Sequence, residues 1–170
     1  MKWFGAIILI AISTIIWFEF SRRLSNVPNH INQVKNALLI LEAEIVYSQA
    51  KLQEAFKVVA SQIPKPTEQL FLNTYQLLEK NEMNLIDIWK ESVTTFMQKS
   101  SLTKTEEEIL IQFGKTLGQY DISQQQKYIS VTIHHLDRLL REAELIRDKY
   151  GKMAKSLGVL TGIFVVLLLI

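Results

Sequence analysis

The side chains best able to bind a metal or transfer a proton are few and scattered in this chain. Its three histidines are His30, His134 and His135. Adjacent residues of a helix point about 100° apart, so His134 and His135 cannot both face one metal ion. Asp137 lies three residues after His134, a spacing more typical of a solvated surface contact than of a metal site. The sequence therefore predicts no metal site and no cofactor.

Paired carboxylates are equally poor candidates for acid–base catalysis. Glu42 and Glu44 are two residues apart and so lie on different faces of a helix. The acidic run at residues 106–108 falls in the first turn of a predicted helix, where negative charge complements the helix dipole. The chain has no cysteine, no phosphate-binding glycine loop and no Gly-x-Ser-x-Gly motif. We therefore predict a protein that is not an enzyme and binds no small-molecule substrate.

Charge is unevenly distributed along the 170 residues. The chain is 48% hydrophobic and 21% charged, but residues 3–18 and 157–170 carry no charged side chain. The rest has the composition of an ordinary soluble domain. A net charge of +2 without a clustered basic face argues against nucleic-acid binding. We divide the chain into residues 1–20, a middle domain at 21–152, and residues 153–170.

Each apolar end is predicted to be a membrane helix. Residues 3–20 would form a helix about 27 Å long, close to the roughly 30 Å hydrocarbon core of a bilayer. The second segment becomes long enough when the lysines that precede it extend toward the membrane surface. Basic residues flank both segments on the side of the middle domain, which predicts that this domain is cytoplasmic. Gly158 and Gly162 form a pair of small residues at which another membrane helix could approach.

The middle domain is predicted to be an all-α bundle of about six helices. Apolar residues recur there every three or four positions, the spacing of one helix face, and no segment alternates with a period of two. The six apolar stripes begin at Ile31, Leu52, Leu70, Leu85, Ile109 and Ile129. The first stripe would serve an internal bundle or a dimer equally well, so a homo-oligomer remains open.

Local signals predict several helix ends. Ser48 is available as the cap of the second helix, and Gly118 is placed to end the fifth. Two capping boxes are predicted at helix starts, Thr103 with Glu106 and Ser123 with Gln126. The last helix then runs long, toward the second apolar segment.

Several short segments stand in a fixed order between the two apolar ends. They are Leu41-Glu42-Ala43-Glu44-Ile45 with Tyr47 and Leu52, Phe113-Gly114-Lys115-Thr116-Leu117-Gly118 with Asp121, Gln125-Gln126-Lys127, Lys152-Met153, and Lys155-Ser156-Leu157-Gly158 with Gly162. In this order, in a chain of this length, they resemble the stage III sporulation protein AB family of endospore-forming bacteria. The resemblance covers essentially the whole chain.

This resemblance implies a protein of the mother-cell membrane that faces the forespore, within the channel complex linking the two cells during engulfment. It also implies that the cytoplasmic part is similar in fold to the F domain of the type II secretion and type IV pilus inner-membrane platform. Such platforms sit beside a cytoplasmic ATPase, for which stage III sporulation protein AA is the candidate. The implied partners are that ATPase, other channel subunits and the membrane. Residues 48–51 depart from the family, which usually has a Gly or Thr-Pro turn there.

Eight residues of the middle domain are candidates for contact with these partners. They are Glu42, Glu44, Phe113, Gly114, Gly118, Asp121, Gln125 and Gln126. Each also has a structural interpretation as a core, close-packing, capping or solvated residue. The leading hypothesis is a non-enzymatic assembly platform. The alternative is a membrane-tethered helical adaptor or regulator of a soluble partner, outside any secretion machine.

Overall fold

The structure, a computed structural model, describes residues 25–80, 83–119 and 121–169, and for residues 151–152 and 154–169 it describes the backbone alone. Every regular element in these ranges is an α-helix. The helices are α1 (residues 25–46), α2 (Leu52–Gln62), α3 (Thr67–Lys80), α4 (Leu85–Lys99), α5 (Lys104–Gly114) and α6 (Ile122–Leu169). The predicted all-α class and the predicted six helices are confirmed over the described part of the chain.

The predicted apolar stripes meet in one hydrophobic core. In α1, the side chains of Ile31, Val34, Leu38 and Leu41 are fully buried. In α6, Ile129 and Leu136 are buried against the same cluster. Burying one side chain of this size contributes roughly 1.5–3 kcal/mol, and this burial drives the helices together.

At the centre of the core, Trp89 of α4 is surrounded by one aromatic ring from each of three other helices. Its ring centroid lies 5.9 Å from that of Phe56 in α2, 5.8 Å from Phe71 in α3 and 5.6 Å from Phe113 in α5. The indole Nε1–H donates a 2.7 Å hydrogen bond to the carbonyl oxygen of Leu110 in α5. Four consecutive helices, α2 to α5, are therefore fixed around one side chain.

The connections between helices gather at two opposite ends of the bundle. A Cβ atom at Gly118, after α5, would lie 3.2 Å from Leu85 at the start of α4 and 3.8 Å from Leu52 at the start of α2. At the other end, the Ser101 N–H, after α4, donates a 2.9 Å hydrogen bond to Nδ1 of His30 in α1. Successive helices therefore alternate in direction.

Helix α1 is fastened to α6 by an ion pair. Lys35 Nζ donates to Asp137 Oδ1 at 2.8 Å, and both side chains are partly buried. The hydrogen bond from Lys35 holds the pKa of the Asp137 carboxyl below its usual value. The sequence paired Asp137 with His134 as a surface contact, whereas the hydrogen-bonding partner of Asp137 lies on another helix.

Two of the predicted helix starts are wrong. Lys51, not Ser48, is the N-cap residue of α2, and no side chain caps this helix start. Helix α6 already begins at Ile122, which puts Ser123 inside its first turn. The carboxylate of Asp121 accepts the Gln124 N–H at 2.8 Å instead.

The remaining predicted helix start is confirmed, whereas the predicted end of α5 is wrong. The capping box of Thr103 and Glu106 is present at the start of α5 and confirms that prediction. Helix α5 ends at Gly114, earlier than predicted, and Gly118 lies in the following turn with a φ of 70°. This left-handed backbone suits a glycine, so Gly118 shapes the turn without ending the helix itself.

Helix α6 is unbroken through Gly151 to Leu169, as predicted for a long last helix. Within the described ranges, no helix has the length and apolarity that crossing a membrane requires. The first predicted membrane segment, residues 1–20, lies outside the described residues. In the second, residues 153–170, the helical backbone of α6 is described as far as Leu169.

The stability of the bundle should depend on the protonation of His30. Burial lowers the pKa of His30 from its usual 6.5, and its Nδ1 must stay unprotonated to accept the Ser101 N–H. The unfolded chain therefore binds this proton more readily than the folded chain. The His30 contribution to stability is complete above pH 6.5 and is lost as the pH falls through the lowered pKa of the folded state.

We expect the His30→Gln variant to lose this part of the pH dependence. The measurement is the urea midpoint of residues 21–152 across the range from neutral to mildly acidic pH, followed by circular dichroism. His134→Gln is the matched control because His134 is exposed on α6. Equal loss of stability on acidification in the wild type and in His30→Gln would contradict the prediction.

Candidate functional site

One end of the bundle, which we call the tip, combines the connections that follow α1, α3 and α5. It consists of residues 47–51, 83–85, 115–119 and 121–122. Leu52 and Leu85 pack near Gly118, so these three connections are neighbours. The long continuation of α6 points to the opposite end.

Among the described residues of the tip, a large apolar side chain is exposed at each of the three connections. Tyr47 is 79% exposed after α1, Met83 is 45% exposed before α4, and Ile122 is 46% exposed at the start of α6. The same connections also carry exposed lysines, among them Lys51 and Lys115. Apolar side chains inside a polar rim are typical of protein–protein interfaces, in which Tyr and Met are enriched.

Three of the candidate residues, Gly118, Asp121 and Gln125, lie in or beside the connection from α5 to α6. Gln125 is 4% exposed, and its Oε1 accepts the Gly118 N–H at 3.2 Å. Asp121 caps α6 through its carboxylate. These residues shape the turn itself, and the Gln125 Nε2 is buried without a hydrogen-bond partner in the structure.

Phe113 and Gly114 lie in the core at the end of α5. Phe113 packs edge-on against Trp89, with 75° between the ring planes. A Cβ atom at Gly114 would lie 2.1 Å from Cδ1 of Trp89. Because no side chain fits there, glycine is required for the indole to reach its place.

The remaining candidates stay nearer the surface. Glu42 and Glu44 are half-buried near the end of α1, and Gln126 is half-buried just after the first turn of α6. The Glu44 carbonyl oxygen accepts the Ala50 N–H at 3.1 Å, which helps to close the α1–α2 turn. Contact with a partner stays a prediction for all eight residues. Membrane-helix packing at Gly158 and Gly162 likewise stays a prediction.

An open groove between α5 and α6, with a volume of about 550 Å³, was not predicted from the sequence. Ile109 and Phe113 of α5 and Val131 of α6 give it apolar walls, and His135 and Arg138 line its α6 side. One apolar residue of this groove, Val131, is exposed on the outer face of α6. Single apolar residues are common on the surfaces of helices, so the sequence alone does not single it out.

A smaller hollow of about 180 Å³ lies between α3 and α4 and is lined mainly by polar side chains. The Ser92 hydroxyl is buried there without a hydrogen-bond partner in the structure. Over the described residues, no three His, Asp or Glu side chains are close enough to hold a metal ion.

Comparison with known proteins decides the family. The family model for stage III sporulation protein AB matches residues 2–170. The chain belongs to this family. It is 36% identical over 169 residues to stage III sporulation protein AB of Bacillus subtilis strain 168, covering 99% of each chain. The resemblance inferred from the sequence is thereby confirmed.

A solved structure of stage III sporulation protein AB also matches. It has a TM-score of 0.68 and 35% identity, and the match covers 73% of this chain and 98% of the solved chain. The fold described above is therefore a fold of the family. The sequence resemblance and the helical architecture agree on the same assignment.

Substitution of Gly114 should destabilise the protein strongly. In Gly114→Ala, the new methyl group would overlap the Trp89 indole and force it away from the Leu110 carbonyl. Overpacking of this kind costs roughly 1–3 kcal/mol, occasionally more. The change in unfolding free energy is measured by urea denaturation of residues 21–152.

A double-mutant cycle tests whether Trp89 is the cause. Trp89→Leu alone is destabilising because it empties the aromatic centre. Together with Gly114→Ala, it should cost less than the sum of the two single changes, since the smaller side chain leaves room for the methyl group. Gln112→Ala, exposed on α5, is the control for alanine substitution. Strict additivity would rule out the proposed clash.

Proposed function

We propose that this protein is a non-enzymatic platform in the mother-cell membrane that helps to assemble the mother cell–forespore channel complex. Its helical body faces the cytoplasm, and its tip docks the cytoplasmic ATPase, stage III sporulation protein AA, beside other channel subunits. The observation that carries the proposal is the tip, where Tyr47, Met83 and Ile122 are exposed on three neighbouring connections. Family membership supplies the sporulation context.

Anchoring in the membrane rests on the sequence at both ends of the chain. Residues 3–18 and 157–170 are free of charge, and Arg22, Arg23, Lys152 and Lys155 flank them on the side of the body. This arrangement favours a cytoplasmic body with both termini across the membrane. A reporter fused after Ile170 should be active outside the cytoplasm, and activity only inside it would contradict this topology.

The direction of α6 supports the choice of the tip as the docking surface. From Ile122 at the tip, α6 runs unbroken to Leu169. The part up to Met153 alone is about 47 Å long at 1.5 Å per residue. If the last segment lies in the membrane, the tip is the part of the body farthest from the bilayer. At that distance the membrane would not hinder a large cytoplasmic partner from reaching the tip.

Substitutions at the tip should block sporulation without removing the protein from the membrane. We expect a variant with Tyr47→Ser, Met83→Ser and Ile122→Ser to lose its partner, because central interface side chains each contribute about 1–2 kcal/mol or more. The affinity for the ATPase should fall by at least about tenfold, since each 1.4 kcal/mol is a factor of ten in affinity, and spore yield should fall with it. Co-purification from detergent should lose the ATPase.

The matched control carries Leu39→Ser and Leu145→Ser, which are also exposed apolar residues but lie on α1 and α6 away from the tip. It should leave both spore yield and co-purification near wild type. Normal co-purification of the ATPase with the tip variant would contradict docking at the tip. Recovery of a soluble partner without ATPase or channel subunits would favour the adaptor function instead.

A further inference from the structure

The hollow between α3 and α4 is lined by polar side chains that no other part of the protein engages. These side chains come from both helices and are Asn73, Gln76, Lys80, Glu91, Ser92 and Thr95. Within the described ranges, none of the six makes a side-chain hydrogen bond or an ion pair with another protein group. Their hydrogen-bonding capacity is therefore directed at whatever enters the hollow.

Ser92 is the most deeply buried of these residues. It is 1% exposed, and its hydroxyl oxygen is buried without a hydrogen-bond partner in the structure. Asn73 and Thr95 are half-buried, and the other three polar lining side chains are exposed. The hollow therefore has a polar floor, formed by Asn73, Ser92 and Thr95, and opens to solvent at a charged rim.

A helix offers a hydroxyl group a partner of its own, which Ser92 and Thr95 do not use. Thr74, on α3, donates to the carbonyl oxygen four residues before it at 2.8 Å, and Thr94, on α4, does the same at 3.0 Å. A serine or threonine inside a helix can always bond in this way. Because the two hydroxyl groups of the hollow are not engaged with their own helix, they are left for a ligand.

The size of the hollow limits what this ligand is. Its volume is about 180 Å³, whereas sites for drug-sized ligands and cofactors hold about 300–1,000 Å³. A water molecule takes up about 30 Å³ in the liquid and makes about three hydrogen bonds when buried. The hollow thus has room for several water molecules, and its floor supplies the hydrogen-bonding groups that a buried water needs.

The chemistry of the lining also favours water. Hydroxyl and amide side chains both donate and accept hydrogen bonds, and the two charged residues of the rim, Lys80 and Glu91, have opposite signs. A ligand with one net charge would be attracted by one of them and repelled by the other. Water donates and accepts without a net charge, so it suits the whole lining.

We propose that the hollow is a binding site for ordered water, in which one water molecule binds the Ser92 hydroxyl and links it to the Asn73 amide across the α3–α4 interface. Thr95 supplies a further partner on α4. Helices α3 and α4, whose connection carries Met83 of the tip, are thus joined by water as well as by apolar packing. The proposal does not depend on which partner binds the tip.

A crystal structure of the body tests the site directly. The solved family member aligns over 98% of its own length with 73% of this chain, so a chain of about the size of residues 21–152 folds separately in this family. At high resolution, we expect an ordered water within hydrogen-bond distance of both Ser92 Oγ and the Asn73 amide. A Ser92 rotamer that donates to the Ile88 carbonyl, or a floor without ordered water, would overturn the proposal.

The sign of a stability change separates a hydroxyl that binds water from one that binds nothing. If water satisfies Ser92, Ser92→Ala removes a hydrogen-bonded group, and the folding equilibrium constant should fall about two- to tenfold. The measurement is urea denaturation of residues 21–152. Ser130→Ala, half-buried in α6, is the matched control for the effect of the same exchange on helix propensity. A gain in stability for Ser92→Ala relative to this control would show an unsatisfied hydroxyl and overturn the proposal.

A double-mutant cycle tests whether one water links the two helices. No direct hydrogen bond joins Ser92 to Asn73. Asn73→Ala should therefore cost less stability in the Ser92→Ala background, where the water bridge is already broken, than in the wild type. The control pair is Asn73→Ala with Thr94→Ala, because Thr94 is exposed on α4 outside the hollow, and these two changes should add. Strict additivity of the Ser92 and Asn73 changes would overturn the bridge, and it would leave docking at the tip unaffected.

Discussion

The arrangement of the bundle depends on the placement of Trp89 against the end of α5. Its indole N–H donates to the Leu110 carbonyl, and its ring occupies the space that a side chain at Gly114 would take. A buried N–H left without this partner would cost about 1–3 kcal/mol. Phe56 and Phe71 close around the same ring. Four helices thus share a single point of contact, which fixes their relative positions.

From this centre, polar contacts at the edges fix the first and last helices. The Lys35–Asp137 pair holds α1 against α6, and the contact of His30 with Ser101 holds α1 against the α4–α5 connection. Such contacts add little stability individually. They instead fix how α1 lies against α6 and against the α4–α5 connection.

The sequence predicted those features that depend on near neighbours along the chain. Six apolar stripes predicted six helices because a helix face repeats every 3.6 residues whatever the fold. The capping box of Thr103 and Glu106 was also found, since both partners lie within one turn. The prediction that Ser48 caps α2 was wrong, because the residue type alone does not decide where a helix starts. A serine near a helix start is only one of several residues able to cap, and the actual α2 start has no side-chain cap.

The sequence by itself determined the helical class, the core-facing side of most helices, the uncharged ends and the family. Only the tertiary structure decided what the family motifs do. Gly114 is required by an indole 25 residues away in the chain, and Gln125 supports the turn at Gly118. Asp137 finds its partner 102 residues away. Periodicity records which face of a helix is apolar, but contacts at such separations exist only once the helices have packed.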